Sequence, residues 1–295
     1  MLRVLCLLFL LVASPVAAQM VTVQTYRGPV EVSAEPEVIA VLDVASLDTL
    51  TALGVTADGV AGPLYVDYLE EVAAGAVTVG TLFEPDQEAL AVMAPDLIIA
   101  GGRSYEAVPT LAKIAPTIDM TIWEDVVGQG LARLAAYGEI FGKEPEAKAL
   151  AQSFEAKLES TRRQVAGQGR ALIVMTVGPK ISAYGANGRF GWLHTALDLP
   201  EAVPEVETTT HGEAISFEFI READPDILIV IDRLAAIGQG GERARATLDN
   251  ALVHETRAWK TGKVVYLDSA PLYIAGGGIQ SMSMTLDQIA ALGGD

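Results

Sequence analysis

The sequence predicts an α/β protein: two Rossmann-like lobes with parallel sheets, joined by a single long helix. Three observations carry that expectation. Short aliphatic runs alternate with segments of helical spacing, the pattern that builds parallel sheets. Two segments of equal length, EALAVMAPDLIIAGGR (Glu88 to Arg103) and EFIREADPDILIVIDR (Glu218 to Arg233), repeat a Glu, a Pro-Asp, an aliphatic run and a closing Arg at matching places. Between them, EPEAKALAQSFEAKLESTRRQV (Glu144 to Val165) is an uninterrupted stretch rich in the helix formers Ala, Glu, Lys and Gln. The expected division is a leader over residues 1–18, a first lobe over 19–143, a connecting helix over 144–166 and a second lobe over 167–295.

Gln19 to Val32 reads as a β-hairpin, VTVQTY and VEV around Arg27-Gly28-Pro29. Glu37 to Leu42 has the composition of a buried strand. Asp43 to Leu53 then places Leu47, Leu50 and Leu53 on one side of a helix that Gly54 ends. Val60 opens a short extended piece, Asp67 to Ala74 a helix, and Val77 to Val79 a short strand. In the first repeat copy Pro85-Asp86 starts a helix, and Pro95 stops it, because proline cannot continue the hydrogen-bond ladder. Leu97 to Ala100 is a buried strand ended by Gly101-Gly102. Gly128 to Ile140 is an apolar-faced helix ended by Gly142. The connecting helix has one modest apolar side, Ala151, Phe154 and Leu158, and stops at Gly167 and Gly169. RALIVMTV (Arg170 to Val177) opens the second lobe with a strand. The second repeat copy follows the plan of the first: a helix to Ala223, Pro225-Asp226, and a strand from Ile227 to Ile231. One stiff helix between the lobes predicts limited hinge motion.

The first residues belong to another pattern. Leu2 to Val12 are almost wholly apolar apart from Arg3, Ser14-Pro15 breaks the run, and Val16-Ala17-Ala18 supplies small residues ahead of Gln19. That is the form of a secretory leader cleaved near Ala18, and it is too short to span a membrane. The single cysteine, Cys6, falls inside it, so the exported chain is expected to have neither disulfide nor thiol chemistry. With no cysteine at the processing site, a lipid anchor is not expected. A soluble monomer in a bacterial periplasm is. Losing Arg3 takes the formal charge from −18 to −19. Such acidity argues against nucleic acid or an anionic membrane surface as partner, and makes any arginine cluster informative.

In open α/β sheets, ligands sit outside the carboxyl ends of the strands, and Arg103 and Arg233 lie just past two such ends. The repeat is best explained by two related lobes, each aiming one arginine at a shared cleft. No G-x-S-x-G, P-loop or H-E-x-x-H motif is present. Gly276-Gly277-Gly278 follows a strand-like segment, but no lysine follows in register for a phosphate loop. His194 and His254 fall in helical segments and read as packing or surface residues. His211, in the polar loop TTTHGEAISFEF, stands between loop capping and ligand contact.

The segments TLFEPDQEALAVMAPDLIIAGGR, KISAYGANGRFGWLHTALDL, TTTHGEAISFEFI, DILIVIDRLAAIG, LDNALVHETRAWKTGKVVYLD and YIAGGG, with their spacing, span nearly the whole chain after the leader. Together they resemble the helical-backbone periplasmic substrate-binding proteins of ABC importers for ferric siderophores, in particular the catecholate binders of the enterobactin and petrobactin group. The resemblance implies that Arg103, Arg189 and Arg233 line a cleft for an anionic ferric siderophore. It implies that His211 and Tyr273 can complete iron coordination, and that Glu88 and Glu218 dock on arginines of an inner-membrane ABC permease. It implies no intrinsic cofactor and no catalysis. The chain departs from the group in SAPL before Tyr273, where a bulky aromatic is common.

Charge and donor chemistry agree with this picture. Ferric catecholates are anionic, arginine's planar fork suits flat oxygen donors, and hard Fe(III) favours phenolate. The competing readings make Arg189 a turn cap, Arg103 and Arg233 partners of nearby carboxylates, Tyr273 a packed aromatic, and Glu88 and Glu218 ordinary solvated helix residues. Haem or cobalamin as cargo on the same fold, or an exported two-lobe enzyme, are the alternative functions.

Overall fold

The structure, a computed structural model, describes residues 19–204, 206, 212–240 and 243–293. The expected leader and His211 lie outside the described residues. The chain opens with a hairpin, β1 (Met20–Thr25) and β2 (Gly28–Ser33), turning at Tyr26-Arg27, one step earlier than its Gly-Pro suggested. Five strands follow in the first lobe: β3 (Ile39–Val41), β4 (Gly59–Val60), β5 (Val77–Thr78), β6 (Leu97–Ala100) and β7 (Thr117–Asp119). They form an all-parallel sheet in the order β5-β4-β3-β6-β7.

The second sheet holds β8 (Ala171–Val177), β9 (Lys180–Tyr184), β10 (Glu213–Ile215), β11 (Ile227–Asp232) and β12 (Val264–Tyr266) in the order β10-β9-β8-β11-β12. The positions match the first sheet one for one. The expectation of a parallel second sheet needs correcting, however, because β9 runs antiparallel to both neighbours. The cause is local. Only Gly178-Pro179 separates β8 from β9, and so short a link can only fold the chain back on itself.

The two repeat copies have the same local architecture. Helices Gln87–Met93 and Phe217–Ala223 are each capped by a side-chain oxygen, from Asp86 and Ser216, and each ends in a left-handed residue, Ala94 or Asp224. The repeated Pro-Asp now has a physical role. Asp96 accepts from the backbone N–H of Glu37 and Val38 just before β3, and Asp226 accepts from Arg170 just before β8. In each lobe this carboxylate ties one central strand to the entrance of its neighbour.

The helix Glu144–Val165 joins the sheets as the spacing predicted. Beyond it, one apolar core runs through both lobes, from Ile39, Leu50 and Ile99 to Ile173, Ile229 and Leu272. The last long helix, Ile279–Ala290, reaches back to pack on Glu144–Val165 and on Val44–Ala52 of the first lobe. The glycine run ahead of it follows the helix Ser269–Ile274, not a strand-like segment. It crosses against the buried Asp48, whose carboxylate accepts from the N–H of Gln280 at 2.9 Å and of Ser281 at 3.0 Å and from the Tyr68 hydroxyl. A Cβ on Gly278 would sit 2.5 Å from that carboxylate, so the close pass requires glycine. No described helix is long and apolar enough to cross a membrane.

Candidate functional site: an arginine-lined cleft between the lobes

Both sheets reverse their strand order beside the central strand, and crevices form there at the carboxyl ends. Arg103 lies in the 3-10 turn Gly102–Ala107 directly after β6. Arg233 occupies the matching place after β11 and opens the helix Arg233–Ala236, which Asp232 caps through the N–H groups of Leu234 and Ala235. Arg189 sits on the loop between β9 and the helix Trp192–Thr195. Glu201 fixes that loop by accepting from Ala186 N–H at 2.7 Å. A Cβ on Gly191 would lie 2.0 Å from the Ala186 carbonyl oxygen, so this tight turn also depends on glycine. Tyr273 is on the helix Ser269–Ile274, which follows β12.

These four side chains meet. The guanidinium carbons of Arg189, Arg103 and Arg233 lie 4.1, 5.3 and 5.9 Å from the centre of the Tyr273 ring. Arg233 donates to the Tyr273 hydroxyl at 3.0 Å. Arg103 donates to the carbonyls of Tyr273 (3.0 Å) and Ile274 (3.3 Å), and Arg189 donates to the Tyr273 carbonyl at 2.7 Å. Those carbonyls belong to the end of a helix, where unpaired oxygens carry partial negative charge. Among the described residues the hydrogen-bond partners of the three guanidiniums are thus two carbonyls and one phenol, with no carboxylate.

The titration behaviour follows from this crowding. Burial, then the neighbouring Arg103 charge, lowers the pKa of Arg189. Burial pushes the Tyr273 phenol up, but the Arg233 hydrogen bond and the charges of Arg189, Arg233 and Arg103 outweigh it, and its pKa falls below the ordinary value. Burial instead pushes Tyr184, next to this group, up to about 12.

The four residues line a cleft of about 1010 Å³. Its lining also includes side chains that the sequence did not mark. Phe83, Tyr105 and Trp123 from the first lobe face the same space, with Glu106, Glu124 and Asp125 beside them and Asp43 behind. Each aromatic lies within a few residues of the carboxyl end of a strand, but no shared motif marks the three in the sequence.

Glu88 and Glu218 are exposed, each at the second position of its equivalent helix and away from the cleft. Hydrogen bonds from its own backbone N–H and the Ser216 side chain hold the Glu218 carboxyl below the ordinary value. His194 is buried with Nδ1 against the Leu199 carbonyl, and His254 stacks on Trp259 at 4.3 Å, so both pack.

Comparison with known proteins agrees with the two-lobe architecture. Residues 39–271 match the family model described as periplasmic binding protein, Peripla_BP_2. The chain belongs to this family of periplasmic binding proteins. Among its relatives is the petrobactin-binding protein YclQ of Bacillus subtilis, 32% identical over 274 residues, which cover 90% of this chain and 85% of YclQ. The ferric-anguibactin-binding protein FatB of Vibrio anguillarum is 29% identical over 280 residues, 91% of this chain and 86% of FatB. The crystal structure of the periplasmic catecholate-siderophore binding protein VctP of Vibrio cholerae superposes with a TM-score of 0.88 at 30% identity. The match covers 92% of this chain and all of VctP. This periplasmic binding protein therefore shares its whole fold, and not one lobe alone, with those relatives.

Proposed function

We propose that this protein captures an anionic ferric siderophore, of the catecholate type, in the inter-lobe cleft and delivers it to an ABC permease of the inner membrane. The observation that carries the reading is the convergence of Arg103, Arg189 and Arg233 around one phenol, with no carboxylate among their hydrogen-bond partners in the described residues. Three cations held together in a half-buried cleft repel one another, and an anionic guest relieves that repulsion. The petrobactin, anguibactin and catecholate ligands in the names of YclQ, FatB and VctP support the same class of cargo.

In this reading Tyr273 and His211 take coordination positions that a tetradentate chelate leaves open on iron. Tyr273 meets the requirement of the role, since its phenol ionises more readily than an ordinary tyrosine. Glu88 and Glu218 present one carboxylate per lobe to two equivalent surfaces of the permease. The protein acts as an exported monomer and a carrier, without catalysis.

Titration of the purified protein with ferric catecholates, followed by tryptophan fluorescence, tests the proposal, because Trp123 and Trp192 both line the cleft. Saturable quenching is expected, with strong weakening in Arg103→Ala and Arg233→Ala. Absence of binding to every catecholate, hydroxamate and citrate chelate of iron retires the proposal.

A further inference from the structure

The arginines attract any anionic iron chelate and by themselves do not tell an aryl chelate from a polycarboxylate. Aromatic side chains lining the same cleft supply what they lack. Among the described residues eight large apolar side chains are exposed, and three of them, Phe83 (71%), Trp123 (52%) and Tyr105 (37%), line this one cleft. All three come from the first lobe, from segments following β5, β6 and β7.

The wall is held in place before any ligand arrives. The Thr81 hydroxyl accepts from the N–H of Phe83 and of Glu84, and the Thr81 N–H donates back to the Glu84 carbonyl. The Gln129 side chain accepts from Trp123 N–H at 2.7 Å and from Glu124 N–H at 3.3 Å. Arg27 donates to the Tyr105 carbonyl at 2.7 Å. Rings exposed on anchored turns lose little freedom when a flat partner covers them, the property that makes aromatics effective contact residues. Next to the rings in the chain, Glu106, Glu124 and Asp125 also line the cleft and bring charge opposite to that of the arginines.

We propose, resting on the transport reading above, that Phe83, Tyr105 and Trp123 with Glu106 and Glu124 form a specificity wall that selects iron chelates with an uncharged aromatic periphery. Both chelate classes offer negative charge to the arginines. An aryl chelate then turns ring faces and edges towards the aromatic wall and buries apolar surface. A citrate chelate turns free carboxylates towards Glu106 and Glu124, where like charges repel, and leaves the rings without an apolar partner.

The test measures affinity by calorimetry for two probes: the ferric complex of a bis-catecholate on a short diamine linker, and ferric dicitrate. Phe83→Ala and Trp123→Ala are each expected to weaken the catecholate roughly tenfold or more and to leave citrate within about twofold, in the range of an aromatic contact residue. Trp123→Phe, which keeps a ring, restores most of the preference. Glu124→Gln tightens citrate and leaves the catecholate unchanged. Thermal melts confirm that these surface variants fold. If the alanine variants weaken both probes equally, or neither, the wall has no selective role and the inference is overturned. Arg103→Ala weakening both probes then still supports the transport reading. A wild-type protein that binds neither probe overturns this inference, and the transport reading falls with it when hydroxamate and other catecholate chelates fail to bind as well.

Discussion

Replacing Arg189 by methionine separates a binding guanidinium from a structural one. Methionine keeps the apolar stem and removes the charge. The distances to the shared ring cap the separation of the Arg189 and Arg103 guanidinium carbons at about 9.4 Å, and of Arg189 and Arg233 at about 10 Å. At an effective dielectric of about 20, those separations mean at least roughly 3.5 kcal/mol of repulsion that the substitution relieves. Against this stand the 2.7 Å bond to the Tyr273 carbonyl and the positions over the rings of Tyr273 and Phe190. A charged hydrogen bond contributes about 1.5–3 kcal/mol and each cation–π contact about 0.5–1. The two sides nearly cancel. The melting temperature of the ligand-free variant is therefore expected within about 4 °C of wild type, in either direction. Ligand binding has no such compensation. Loss of one guanidinium contact of about 2–4 kcal/mol weakens a ferric catecholate by roughly 30- to 1000-fold. Scanning calorimetry without ligand and a titration with ligand give both numbers. A fall in melting temperature beyond about 10 °C with affinity unchanged would show Arg189 to be packing, and the cleft argument would fail.

Asp48 gives a pH dependence of defined sign: burial pushes its carboxyl from the usual value up to about 7, so the native state holds a proton that the unfolded chain releases. Its contribution to stability is present below the unfolded pKa and is lost as pH rises towards 7, on the order of 4 kcal/mol in all. Urea titrations at pH 5 and pH 8 should show this loss in wild type and its absence in Asp48→Asn; equal slopes for both would refute it. Tyr273→Phe should remove tyrosinate signal from the part of an ultraviolet pH titration below the ordinary tyrosine range, since the Arg233 hydrogen bond and the three arginine charges lower this phenol while burial pushes Tyr68, Tyr137 and Tyr184 up. Glu88→Lys combined with Glu218→Lys should abolish iron uptake in cells while leaving the affinity of the purified protein unchanged; normal uptake would remove the docking role.

Much of this fold was legible because backbone rules wrote it. Proline and glycine punctuate the repeat copies, capping residues mark the helix starts, and the helix Glu144–Val165 has no breaker within it. What the sequence hid depends on contacts between distant segments. Nothing local in KISAY says that it runs antiparallel; the two-residue Gly-Pro link decides that. Nothing in GGG announces a partner across the lobes; Asp48, more than 200 positions earlier, supplies it. The arginines could be picked out because a duplicated motif placed two of them at equivalent strand ends. The aromatic wall could not, because Phe83, Tyr105 and Trp123 share no pattern until strand order brings β5, β6 and β7 onto one side of the cleft.

The same contacts bear on how the cleft can work. A carrier that closed like a clamshell would need lobes with separate cores and a loose connection. Here one apolar core passes from sheet to sheet, a rigid helix joins them, and the glycine run is tied through Asp48 to the first lobe. Arg103 adds a grip on the helix that carries Tyr273. Wide separation of the lobes would break all of these together, and loss of the Gln280 and Ser281 N–H donors to Asp48 alone costs on the order of 1–3 kcal/mol each. The cleft is therefore largely set before the ligand enters. Selection then rests on side chains already in place, the arginines and the aromatic rings that line the cleft together. Small-angle scattering with and without a bound chelate should accordingly show almost the same radius of gyration; a contraction of several ångströms would mean that the shared core parts, and that selection happens during closure instead.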